Sequence, residues 1–144
     1  MEEQQQTRVE RILVAVDGSQ QSVNATRLAL SIAKGTGARI SFISIVEMSD
    51  VPTLMSETQS INSEDHAQVA LGMAMKMALA MNVNAEVVLR KGHPASQINR
   101  FAEECKPDLI VLGSRGRSGT TGLLLGSVSS AVLKNTHYPI LIVK

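Results

Sequence analysis

The chain has 144 residues, 44% hydrophobic and 19% charged, which is enough for one well-filled core and unlike a disordered sequence. Its 14 Lys and Arg against 13 Asp and Glu leave a formal charge of +1, which argues against nucleic acid or a membrane as partner, since each calls for a basic surface across the domain. Two Phe, one Tyr and no Trp give no platform for stacked bases, and the single cysteine, Cys105, excludes an internal disulfide or a Cys-rich zinc site.

Residues 1–10 read as a polar tail of mixed charge. They lack the apolar core of a signal peptide, and no apolar run reaches the roughly 18 residues of a membrane span. With one unpaired thiol, the expected location is cytoplasmic. Arg11–Val16 (RILVAV) is the first predicted strand. Ser19–Lys34 follows as a helix, with Ala25, Ala29 and Ala33 in line and Gly35 and Gly37 near its end. Arg39–Val46 (RISFISIV) is the second strand. Glu47–Ser63 is polar, contains Pro52 and is expected as a long, mobile loop. Glu64–Met81 has helical spacing, and its Met73, Met77 and Met81 form a stripe that reads as core packing.

Ala85–Leu89 is the third strand. Ile98, Phe101, Ala102 and Cys105 then mark one buried helical face, with Cys105 a small packing residue. Asp108–Gly113 (DLIVLG) is the fourth strand, Val128, Ala131 and Val132 repeat the helical spacing, and Pro139–Val143 is the fifth strand. Nearly continuous Val, Ile and Leu suit strands covered on both faces. The alternation gives an α/β fold over residues 1–144 as a single domain: a doubly wound, five-stranded parallel sheet in the order 3-2-1-4-5, Rossmann-like, with helices on both faces.

The fourth strand runs into SRGRSGTTG, with glycines at 113, 116, 119, 122 and 126 and a helix starting near Ser127. Glycine lets backbone amides approach an anion, and a helix N-terminus that opens with Ser127 and Ser129 adds free N–H groups, hydroxyls and a positive dipole end. Arg115 and Arg117 can supply compensating charge. These features suit phosphate groups, although a flexible turn uses the same residues. Neither a Walker A loop nor G-x-G-x-x-G is present. Asp17 closes the first strand, so its carboxylate and the Gly113–Gly116 turn face one another where strands 1 and 4 are neighbours. A helix-capping role fits Asp17 equally well.

These residues resemble the universal stress protein family (UspA-like) in its ATP-binding branch. Gly113, Gly116, Gly126 and Ser127 satisfy that branch's G-x2-G-x9-G-[ST] spacing, and RILVAVDGS, the KGHP step with Gly92 and Pro94, and the closing HYPILIVK agree with it. The resemblance implies an adenine nucleotide alpha hydrolase-like fold and an ATP site. There the glycines and Ser127 would hold phosphates and ribose, with Val128 and Ser129 adding contacts and Ser114 and Arg115 lying between the first two glycines. Ala15, Val16, Ile45 and Leu112 would surround the base. Asp17 would bind ribose or a phosphate-bound metal, Mg2+ or Mn2+.

The implied function is a dimeric, ATP-binding regulatory module in stress response. A slow ATP hydrolase and a dimeric scaffold with incidental nucleotide are the alternatives. No catalytic residue is assigned, because the loop has no Glu or Gln to orient water. His93, after the third strand, is the nearest plausible base but reads as a surface-loop histidine, and His66 and His137 suggest no role. The apolar last strand lies at a sheet edge with no helix after it, so a homodimer through Tyr138, Ile140 and Ile142 is expected, as the resemblance also implies. An unidentified protein partner remains open.

Overall fold

Short runs of buried Ile, Val and Leu build the five strands of a computed structural model, which describes residues 7–48, 54–115 and 125–144, with 54–63 described by backbone alone. The strands are β1 (Arg11–Ala15), β2 (Arg39–Glu47), β3 (Ala85–Gly92), β4 (Leu109–Gly113) and β5 (Ile140–Val143). They form one parallel sheet in the order β3-β2-β1-β4-β5, in agreement with the sequence expectation. The helices are α1 (Gln20–Thr36), α2 (Leu54–Ala80), α3 (Pro94–Cys105) and α4 (Ser127–Asn135).

Because side chains alternate along a strand, each strand feeds two cores. Ile12, Val14, Ile40 and Phe42 pack with Ala25, Ala29 and Leu30 of α1 and Ala70, Leu71 and Ala74 of α2. Leu13, Ile43 and Ile110 pack on the other face with Ile98, Phe101 and Ala102 of α3 and Val132 of α4. Phe42 is fully buried, and a side chain of that kind contributes about 1.5–3 kcal/mol by leaving water. The predicted alanine and Ile98–Cys105 faces are therefore the faces that pack. The methionine stripe divides: Met77 and Met81 reach the core, whereas Met73 is half exposed.

Two boundaries are corrected. The expected loop Glu47–Ser63 is helical from Leu54 onward, and residues 49–53 of it lie outside the described residues. Polarity and Pro52 suggested a loop, yet the sequence has no Pro or Gly between Leu54 and Leu71. Once α2 is nucleated by its packed C-terminal half, adding residues at its start costs little. β3 also continues past Leu89 to Gly92. It is an edge strand, where charges are tolerated, and Arg90 and Lys91 there pair with Glu104 and Glu64.

Asp108 ties the start of β1 to β4, its Oδ2 accepting the N–H groups of Glu10 and Arg11 at 2.8 and 2.9 Å. Cys105 packs at the edge of the α3 core, and burial, aided by the nearby Glu86 charge, pushes its thiol above the ordinary 9.0. The folded chain thus favours the protonated thiol. Its contribution to stability is complete below the unfolded-state pKa and is lost as pH rises through the higher folded-state value. Accordingly, Ellman titration at pH 8 is expected to label Cys105 more slowly in the native protein than in guanidinium-unfolded chain. Equal rates would contradict the packing.

Candidate functional site

The chain reverses direction of winding between β1 and β4. The α1 and α2 helices cover one face of the sheet, and α3 and α4 cover the other. A crevice therefore opens beyond the C-terminal ends of these two strands. It holds a cavity of about 480 Å³, a size typical of small-molecule sites.

On the β1 side, a short turn is fixed by its own side chains. Gly18 takes φ +83°, where a Cβ would be strained. Asp17 Oδ1 accepts the Ser19 N–H at 2.9 Å, and the Asp17 N–H donates to Ser22 Oγ at 3.1 Å. Ser19 is the N-cap of α1, its Oγ accepting from the Ser22 N–H at 3.1 Å. The carboxylate of Asp17 is thus held at the mouth of the crevice by the turn that starts α1.

On the β4 side, Gly113 lies against that same turn. A Cβ on it would come within 2.9 Å of the Gln21 carbonyl carbon and 3.0 Å of the Ser22 nitrogen. Its carbonyl accepts the Ser129 hydroxyl at 2.7 Å, which draws the first turn of α4 to the crevice. Ser114 donates its N–H to the Val143 carbonyl at 2.7 Å and accepts from the Gly126 N–H at 2.6 Å, which ties the end of β4 to β5 and to the start of α4. The first turn of α4 presents amides that have no carbonyl partner within the helix.

Ten of the predicted site residues line the cavity: Ala15, Val16, Asp17, Ile45, Leu112, Gly113, Arg115, Ser127, Val128 and Ser129. Three do not. Ser114 is buried, with both backbone groups bonded to Val143 and Gly126, so it supports the wall without lining the cavity. Gly126 caps α4 and spends its N–H on Ser114. Gly116, with Arg117, lies outside the described residues.

The cavity also has walls the sequence did not suggest. Ser19 and Ser22 come from the α1 turn, Glu47 from the end of β2, His66 and Ala67 from α2, and Pro94 and Ile98 from α3. The sequence periodicity starts at Glu64, which puts His66 in a first helical turn and conceals its place on the cavity. With α2 beginning at Leu54, it sits well inside that helix and is carried over the end of β2. His93, which the sequence reads as a surface-loop histidine, is the exposed N-cap of α3 and is absent from the described lining. Only a signal for the packing of α2 on β2 could have exchanged the two histidines.

The described lining has an apolar side, with Ala15, Val16, Ile45, Pro94, Ile98 and Leu112, and a polar side with serines, Asp17 and Arg115. No Phe, Tyr or Trp is among it. Such a cavity can take a flat apolar group between aliphatic side chains and an anionic group at the α4 N-terminus.

Fold and crevice together define a doubly wound α/β domain with a ligand cavity at its switch point. Residues 8–144 match a family model described as the universal stress protein family. A universal stress protein of Methanocaldococcus jannaschii is 38% identical over 138 residues, covering 93% of this chain and 81% of the relative. Among solved structures, UspA from Lactobacillus plantarum superposes with a TM-score of 0.85 at 23% identity, covering 96% of this chain and all of that one. A universal stress protein in complex with cAMP gives a TM-score of 0.74 at 25% identity, over 94% and 97% of the two chains. One from Archaeoglobus fulgidus in complex with dAMP gives 0.71 at 20%, over 96% and 100%. The chain belongs to the universal stress protein family.

The Gly113 contact leads to a stability prediction. Gly113→Ala forces a methyl group against the backbone of α1 and is expected to cost about 1–3 kcal/mol in urea unfolding. Ser19→Ala, which removes the α1 cap, should cost about 1 kcal/mol. A neutral Gly113→Ala would mean that β4 and α1 do not approach as closely as described.

Proposed function

We propose that this protein is a cytoplasmic, ATP-binding universal stress protein that acts as a dimeric regulatory module in stress response. The observation that carries the proposal is the convergence of Asp17, Gly113 and the first turn of α4 on one cavity. That cavity offers aliphatic walls for adenine and helix amides for phosphate. The cAMP and dAMP held by the two solved relatives support an adenine nucleotide as ligand.

In this reading adenine lies among Ala15, Val16, Ile45 and Leu112. The phosphates reach Ser127, Val128 and Ser129 and the glycine-rich loop with Gly116 and Gly126, and Arg115 offsets their charge. Asp17 and Glu47 each bring a carboxylate to the cavity, and no cluster of three or more potential metal-binding side chains occurs among the described residues. That donor set fits Mg2+ or Mn2+ carried mainly by phosphate oxygens and one carboxylate. The metal would supply charge neutralisation for the phosphates. Among the described residues, no helix is long and apolar enough to cross a membrane.

β5 is the edge strand next to β4, and its four residues are all half-buried. Pairing with a second copy through Tyr138, Ile140 and Ile142 would cover that edge. Slow hydrolysis is a second reading, favoured by Glu47 and His66, which bring a carboxylate and an imidazole to the same cavity.

Mass spectrometry of nucleotide released from the purified, denatured protein is expected to find ATP. Predominant ADP would favour hydrolysis, and no nucleotide would favour the scaffold. By calorimetry, Gly126→Val and Gly116→Val should lose ATP binding with the fold retained by circular dichroism, and undiminished affinity in both would refute the site. Ile140→Lys combined with Ile142→Lys should sediment as a folded monomer. An unchanged folded dimer would refute the β5 interface.

A further inference from the structure

A second cavity, of about 300 Å³, opens at the opposite end of the strands, where β1, β2 and β3 begin. Its lining includes Arg11, Arg39, Ser41, Asn84, Glu86 and Cys105. Arg11 and Arg39 are register partners on adjacent parallel strands. Since Ile40 pairs with Ala85, and its N–H donates to the Asn84 carbonyl at 3.0 Å, Asn84 stands next to Arg39. Arg11, Arg39 and Asn84 thus form one row across three strands. Leu13 and Ile43 face α3, so alternation places Arg11 and Arg39 on that same face, beneath the end of α3.

Two like charges directly opposite one another on neighbouring strands repel, and their surroundings compensate only in part. Arg11 donates from Nη1 to the Cys105 carbonyl at 3.3 Å, at the negative end of the α3 dipole. Among the described residues, the Arg39 side chain has no hydrogen bond or ion pair. Of the two acids in the cavity wall, Glu104 is paired with Arg90 at 2.7 Å. Glu86 accepts the Ser41 hydroxyl at 2.7 Å, one same-face row further along the strands. With Glu104 paired to Arg90, two guanidinium groups face one remaining carboxylate in the cavity wall, and the row nearest the strand starts carries no carboxylate.

We propose that this cavity is a second binding site, distinct from the nucleotide crevice, for a compact ligand bearing a carboxylate or phosphate group. The oxyanion lies between Arg11 and Arg39, where planar guanidinium groups can each give it two hydrogen bonds, and Asn84 adds a neutral donor. Binding relieves the repulsion between the arginines. The cavity volume falls at the lower end of small-ligand pockets, roughly 300–1,000 Å³, which suits a small organic acid or phosphate ester. The site stands independently of the nucleotide reading, since it uses none of the crevice residues.

Isotope-labelled full-length protein is titrated with inorganic phosphate and, separately, with succinate, and the amide spectrum is followed. Saturable shifts are expected at Asn84, Glu86 and Cys105 with at least one of the two, and the tighter one identifies the preferred head group. Arg39→Gln and Arg11→Gln should each weaken that binding by about tenfold or more. Arg39→Lys keeps the charge but loses the fork, and should fall between. Arg27→Gln, on exposed α1 surface, should leave it unchanged. Saturable shifts confined to Ser127–Ser129 would assign the anion to the crevice and overturn the proposal. So would an absence of saturation with both probes, or an equal loss in Arg27→Gln.

Discussion

The structure depends on the absence of one side chain at Gly113. There the end of β4 comes so close to the first turn of α1 that a Cβ would overlap the Gln21 and Ser22 backbone. With only a hydrogen in that space, the β1–α1 turn and the β4 exit can share one crevice. The Gly113 carbonyl then anchors Ser129, and the next residue, Ser114, bonds to both Val143 and Gly126. Four elements, β4, β5, α1 and α4, are fixed relative to one another within two consecutive residues. Interiors are close-packed, so this arrangement cannot absorb even a methyl group without displacement.

This constraint gives the glycine two roles that are easily confused. Glycine-rich loops are ordinarily explained by the approach of an anion to the backbone. At Gly113 the approaching backbone belongs to the protein, and the benefit to a ligand is indirect. A tight β4–α1 contact points the α4 amides and the Asp17 turn at the same volume. Gly18 is a different case again, required by its positive φ in the turn that presents Asp17. Asp17 itself combines the two possibilities left open by its sequence context. Its carboxylate organises the start of α1 through the Ser19 N–H, and it also lines the cavity.

Much of the fold was legible because both faces of the sheet are covered, so the strands are almost uninterrupted Val, Ile and Leu. The predicted strand limits fall within a residue of those observed except at β3, whose charged end is carried by ion pairs. The start of α2 was illegible for a related reason. Residues 54–63 lack a strong apolar period, and their helical state derives from continuity with the packed half of the helix. In the site, residues contributed by strand ends and the α4 start were readable from local spacing. Glu47, His66 and Pro94 were not, because nothing in their neighbouring residues marks the cavity they line.

Sequence alone determined the order of elements, the doubly wound parallel class and the turn residues at both sides of the switch point, all of which follow from local periodicity and from glycine and serine chemistry. Tertiary structure decided which histidine reaches the cavity, that Ser114 supports the wall and does not line it, and that Arg11, Arg39 and Asn84 share one row. Those outcomes depend on strand register and helix placement. Both are set by contacts between residues far apart in the chain, and no local pattern encodes them.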